Sequence, residues 1–306
     1  MNQPTVQNDS RITGPAWLAG TLIGVGLTTV LVGMEPTGSE LKDQYLSENT
    51  AEFKQLRFTL DELATQARAV PPGSVESITT EEQLKELAAM KMDFRDPNPF
   101  DAPNPNAAVA QLEDFPENPE PHGSGRSVLQ PKAFRMAGPE DCRTLVDSIE
   151  ALNSTVFYSV DSMKEFHKRF RELEYVVLIR FGGRLKPKIR AEGFEPGYQT
   201  AEAFFFDLRG KRLLGGFSFE ATTNDKISFS YQNASYKEGS ALHALGEQLD
   251  KNLETAFWER LHKLIPRSQS NFTAELPYSQ EGLDQARQLF KMQKAEAPMD
   301  DKPDAR

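Results

Sequence analysis

The segment WLAGTLIGVGLTTVLVG, Trp17 to Gly33, constrains this chain more than any other stretch. No charged side chain stands between Arg11 and Glu35. An α-helix rises about 1.5 Å per residue, so about 20 apolar residues cross a hydrocarbon layer about 30 Å thick. Ala16 to Met34 supplies 19 residues, and Trp17 stands where an interfacial aromatic belongs. A cleavable signal peptide needs a basic leader and a small-x-small site. Here Arg11 is the single basic side chain ahead of the run, Val-Leu-Val-Gly-Met closes it, and no cysteine follows for acylation. Gly24-Val-Gly26 is not a dinucleotide loop, because no strand precedes it and Thr29 replaces the third glycine. The expectation is a retained transmembrane helix over 14–34. Arg11 precedes it, while Glu35 and Glu40 follow it ahead of Lys42, so 1–13 is expected inside and the bulk of the chain outside the cytoplasm.

Charge and cysteine content then remove whole classes. The net charge of −10 argues against a nucleic-acid partner. Residues 1–138 hold 19 acids against 11 bases, whereas 139–266 hold 19 against 18, so the acidity belongs to the first part of the chain. The lone Cys142 excludes an internal disulfide and any multi-cysteine metal site.

Residues 35–92 read as a helical membrane-proximal segment. Leu46, Phe53, Leu56, Leu60, Leu63 and Ala67 fall on alternating three and four spacings, with Asn49 in the seam, and Pro71-Pro72-Gly73 ends the helix. Thr80 before Glu81, Glu82 and Leu84 opens a second helix ending near Met92. The seam suits a hairpin packing on itself or a homodimeric stalk, and Ala16, Gly20 and Gly24 would add a small-residue face in the span. Residues 93–136 are dominated by proline, asparagine and acids, and are expected to be a disordered linker.

The folded unit is expected over 137–266. Asp161 caps a helix through Glu174, Tyr175 to Ile179 is a strand buried on both faces, and Arg209-Gly210-Lys211 turns a hairpin between 201–208 and 212–222. On the second arm Leu213, Phe217, Phe219 and Ala221 are expected to share a face, and Ile227, Phe229 and Tyr231 alternate as a further strand. Ser240 opens a long helix that Pro266 ends, and 267–306 reads as a mostly disordered tail with a short helix from Gln280 to Lys294. The fold class is α+β: a mainly antiparallel sheet with helices on one face, preceded by the transmembrane helix, the stalk and the linker.

No reaction motif is present. The sequence lacks H-E-x-x-H, G-x-S-x-G and a phosphate loop. His122 falls in the linker, and His167 among Lys164, Lys168 and Arg169 reads as a solvated helix face. His243 and His262 are separated by about 28 Å along one helix and cannot share a metal. No cofactor and no metal are expected. One pattern stands out: in RLKPKIR, Arg184, Lys186, Lys188 and Arg190 alternate with Leu185, Pro187 and Ile189. If extended, four cations point one way, either protecting a sheet edge from aggregation or holding an anionic lipid or acidic polymer.

EAFFFDLRGKRLLGGFSFEA resembles hairpins of bacterial envelope domains, a generic likeness that transfers no site. The expectation is a single-pass protein of the bacterial inner membrane whose extracytoplasmic domain binds or scaffolds rather than catalyses. The rival is an envelope hydrolase whose acidic or hydroxyl groups converge only in the fold. Two perturbed carboxylates in one cavity would favour that rival.

Overall fold

The computed structural model describes residues 38–95, 105–115, 160–190, 193–224, 237–270 and 275–296. The run Ala16 to Met34 lies outside these residues, as do Cys142, His122 and the strand expected around Phe229. Among the described residues no helix is long and apolar enough to cross a membrane.

The strand read from Tyr175 to Ile179 continues as Tyr175–Leu185 (β2). Its side chains are buried both ways, Val176 and Leu178 toward one layer and Val177 and Ile179 toward the other. Ala107–Gln111 (β1) pairs parallel to it, and Tyr198–Asp207 (β5) pairs antiparallel on its other side. Arg212–Thr222 (β6) continues beyond β5 through the hairpin, where the Asp207 carboxylate accepts the Arg209 and Gly210 N–H groups. Lys188–Arg190 (β3) and Gly193–Glu195 (β4) form a separate ribbon between β2 and β5. The fold is α+β, with a mixed sheet in the order β1-β2-β5-β6.

Among the described residues six α-helices accompany it: Gly38–Ala69 (α1), Val75–Ile78 (α2), Glu81–Ala89 (α3), Val160–Glu172 (α4), Lys237–Leu264 (α5) and Gln280–Glu296 (α6). They cover both faces of the sheet, which corrects the one-faced arrangement expected from sequence. Leu60, Leu63 and Ala67 of α1 meet Ala108, Ala110, Val176, Leu178, Phe204 and Phe206. Leu249, Leu253, Phe257 and Leu261 of α5, with Leu283 and Ala286 of α6, meet Val109, Val177, Ile179, Phe205, Phe217 and Phe219. Burying a Val, Leu or Phe side chain contributes about 1.5–3 kcal/mol, so a sheet apolar on both faces needs cover on both. The part of the seam from Leu60 to Ala67 is therefore filled by the chain's own sheet.

Two further boundaries move for related reasons. Residues 107–111 are a strand, not part of a linker, and Asn106 is the junction that seats them. Its side-chain carbonyl accepts the Asp93 N–H at 2.8 Å, and its backbone carbonyl accepts the N–H groups of Glu174 and Tyr175 at 2.8 and 3.0 Å. The folded unit also extends past 266, because α6 docks on the sheet. Phe290 lies over Gly183, where a Cβ would clash with its ring, and stacks 5.2 Å from Tyr198. The interval 137–266 thus lacks β1, α1 and α6. Finally, Leu213 packs on the α1 side while Leu214 and Phe217 pack on the α5 side. A bulge opposite Phe205 and Phe206 inserts one residue and reverses the alternation, correcting the shared face assigned to Leu213.

Candidate functional site

Pro71-Pro72-Gly73 ends α1, with Gly73 at φ +79°, and the chain returns across the sheet as α2 and α3. Arg180 and Glu202, cross-strand partners on β2 and β5, hold this reversal. The Arg180 guanidinium donates to Glu202 Oε2 at 2.6 and 3.0 Å, and to the carbonyls of Ala67, Val70 and Pro71 at the end of α1. Glu202 Oε1 accepts the Val75 N–H that starts α2, at 3.1 Å.

From there α2 and α3 run along the outer edge of β6. A strand edge carries backbone groups that need partners, and here side chains supply them. Thr79 Oγ1 accepts the Gly216 N–H at 2.9 Å, Glu76 accepts that of Ser218 at 3.2 Å, and Gln83 donates to the Leu213 carbonyl at 3.4 Å. Thr80 and Gln83 form a reciprocal capping box at the start of α3. The approach is close enough to require glycine: a Cβ on Gly215 (φ +133°) would meet Thr79 Cγ2 at 2.8 Å, and one on Gly216 would collide with the Ala203 carbonyl and Val75.

Where α3 diverges from β6 toward the carboxy-terminal turns of α5, a hollow of about 390 Å³ opens to solvent. Gly216, Phe217, Leu84 and Leu264 give it apolar walls, with Thr79 among them. Arg260, Lys263 and Glu76 complete the lining. Arg260 bonds Glu76 at 3.2 Å and Lys263 bonds Glu259 at 2.7 Å, both exposed pairs. The Thr79 hydroxyl is committed to backbone, donating to the Val75 carbonyl at 2.7 Å.

The basic strip is alternating but not continuous. Leu185 and Pro187 turn inward and Lys186, Lys188 and Arg190 outward, as expected from period two. Arg184, however, bonds Asp250 of α5 at 2.6 Å and Gln199 at 2.9 Å, and Arg190 is paired with Glu195 across the β3–β4 ribbon. Among the described residues, Lys186 and Lys188 are the two exposed cations of the set outside an ion pair. The strip lies at the end of β2 and on the ribbon, away from the hollow.

Of the histidines, His243 is exposed beside Glu247, and His262 sits against Trp258 and bonds Ser270 at 3.1 Å. His167 is a correction: it is buried at 2% exposure, not solvated. Its Nδ1 is 2.8 Å from the Tyr45 hydroxyl and its Nε2 is 3.0 Å from Glu52, which also takes both arms of Arg171 at 2.6 and 2.5 Å. The Arg171 hydrogen bonds hold the Glu52 carboxyl down at about 2, and burial lowers the His167 pKa. Burial raises that of Tyr45, the opposite of what an activated nucleophile requires, so the row fastens α4 to α1.

Raised carboxyls do occur. Burial lifts Asp250 despite Arg184, and lifts Glu254, one turn further along α5, to about 7 against the indole of Trp258. Neither lines the hollow, and Asp250 is tied to Arg184. Glu220 moves the other way: burial would raise it, but Arg287 and Tyr198 hydrogen bonds overcome that and hold it down, fixing α6 to β6. Among the described residues no group of three or more His, Cys, Asp and Glu could hold a metal. The hollow was not foreseen from the sequence; the adjacent Gly215 and Gly216 inside a strand were the available sign of close packing there. The chain matches no protein-family model and no curated protein.

Proposed function

We propose that the chain is a single-pass protein of the bacterial inner membrane whose extracytoplasmic α+β domain binds a ligand or partner. The observation that carries the binding half is the hollow between α3, β6 and α5, with apolar walls and Arg260, Lys263 and Glu76 at its mouth. That arrangement suits the retention of a molecule. The rival, an envelope hydrolase, calls for converging perturbed carboxylates, and Asp250 and Glu254 stand away from the hollow with Asp250 neutralised by Arg184. The anchoring half rests on the uncharged run from Ile12 to Met34.

The test has two readouts. Full-length protein should stay in the membrane pellet through an alkaline carbonate wash, with Met1 to Met34 retained. A fluorescent protein that matures only in the cytoplasm, fused after Arg306, should stay dark. Carbonate release, or bright cells, would remove the anchor or reverse the topology.

A further inference from the structure

We infer that the hollow takes a single-chain anionic amphiphile, an acyl chain ending in a carboxylate or phosphate head. The inference rests on the binding reading above and names its ligand class.

Phe217 and Leu264 leave an apolar surface between β6 and α5, and Leu84 on α3 closes its other side while remaining 38% exposed. Ile78, just before α3, is also exposed at 40%. Apolar atoms bordering an open volume of about 390 Å³ are stabilised when a chain removes water from them, so the interior selects hydrocarbon over sugar or nucleotide. The wall's one hydroxyl, Thr79, is already spent on the β6 edge.

The mouth selects the head. Arg260 and Lys263 lie one turn apart on α5 and share the lining with a single acid, Glu76. Both cations are exposed and their partners at least partly so: side-chain accessibilities are 54% and 52% for Arg260 and Glu76, and 68% and 28% for Lys263 and Glu259. Exposed pairs of this kind contribute little, so either cation can turn to an incoming anion at small cost. A guanidinium and an ammonium together suit a carboxylate or phosphate, whereas a cationic head would meet two like charges. Both heads are the same chemistry at this mouth, and the free acid or a lysophospholipid could supply it.

The probe is dansylaminoundecanoate, added to the full-length protein in neutral phosphatidylcholine nanodiscs with empty nanodiscs as blank. Saturable fluorescence above the blank is expected, displaced by laurate or by lauroyl lysophosphatidylglycerol but not by dodecanol or acetate. The stronger displacer identifies the source. Arg260→Gln with Lys263→Gln should weaken binding about tenfold, the value of a lost charged hydrogen bond. Leu84→Asp, at an exposed position that leaves the core intact, should abolish it. Dodecanol competing as well as laurate, the double glutamine variant binding like wild type, or no saturable signal would each overturn the inference. These failures are separable from failure of the anchor, which the carbonate wash reads without any ligand.

Discussion

Replacing Arg180 with methionine keeps a long side chain over the Phe204 ring, which the guanidinium now faces at 4.8 Å, and removes only the charge and the donors. Arg180 and Glu202 have side-chain accessibilities of 13% and 9%, so water does not substitute freely for either. In the variant the Glu202 carboxylate keeps the Val75 N–H and loses both guanidinium contacts, and the carbonyls of Val70 and Pro71 lose their donor. Breaking a buried pair from one side costs about 3–5 kcal/mol, chiefly for the charge left behind. Removing Glu202 as well relieves that charge, leaving the lost Val75 bond and unpaired carbonyls at about 1–2 kcal/mol. We therefore expect Arg180→Met to lower stability by about 4 kcal/mol and Arg180→Met with Glu202→Met to recover at least about 2 kcal/mol of it. Urea titration of the full chain in amphipol, followed by near-ultraviolet circular dichroism, measures both. A single variant within about 1 kcal/mol of wild type, or a double variant no better than the single, would refute the charge argument.

Three further outcomes follow from other parts of the molecule. Gly216→Ala drives a methyl into the Ala203 carbonyl and Val75 and should cost about 2 kcal/mol or more in the same titration, while the equivalent change at open Gly246 should not. Glu254 binds its proton more tightly folded than unfolded, about 7 against an ordinary 4.5, so its contribution is complete below pH 4.5 and lost as pH rises through 7. That loss amounts to about 3 kcal/mol, and Glu254→Gln should flatten the wild-type decline between pH 5 and 8; a parallel decline in the variant would assign it elsewhere. Lys186→Gln with Lys188→Gln should weaken cosedimentation with anionic vesicles by up to about 2 kcal/mol without loss of stability, and unchanged sedimentation would leave these lysines as surface protection alone.

Local chemistry was the legible part of the fold. Thr80 opens α3, Gly210 turns the hairpin, and the apolar run from Tyr175 is a strand buried both ways, because each depends on neighbours in sequence. What could not be read locally was partnership. AAVAQ is too short and alanine-rich to announce a strand among prolines, and it becomes one because β2 and the Asn106 junction supply its hydrogen bonds. The α1 seam is correctly periodic, yet period says that a face is apolar and not what covers it. His167 was misread because its basic neighbours are on its own helix, while Tyr45 and Glu52, which enclose it, arrive from α1. Beyond the Gly215-Gly216 pair the hollow has no linear signature, since its lining comes from α2, α3, β6 and α5.

The arginines carry the same lesson one step further. Arg184 and Arg287 each join a helix to the sheet through an acid, Asp250 on α5 and Glu220 beneath α6, while Arg180, paired within the sheet with Glu202, reaches the carbonyls at the end of α1. An apolar seam alone leaves neighbouring registers close in energy, because Leu and Ala contacts recur each turn. A guanidinium fork fits its carboxylate in one register, and a one-turn slip of about 5.4 Å breaks it. The near balance of acids and bases over 139–266 is in part this internal pairing, as Arg184 with Asp250 shows within that interval. Charge counted along the strip therefore overstated what it offers to a partner. The cations at the mouth of the hollow differ in kind: their pairs are exposed, span no helix–sheet contact of the core, and can be exchanged for a ligand without loosening a helix.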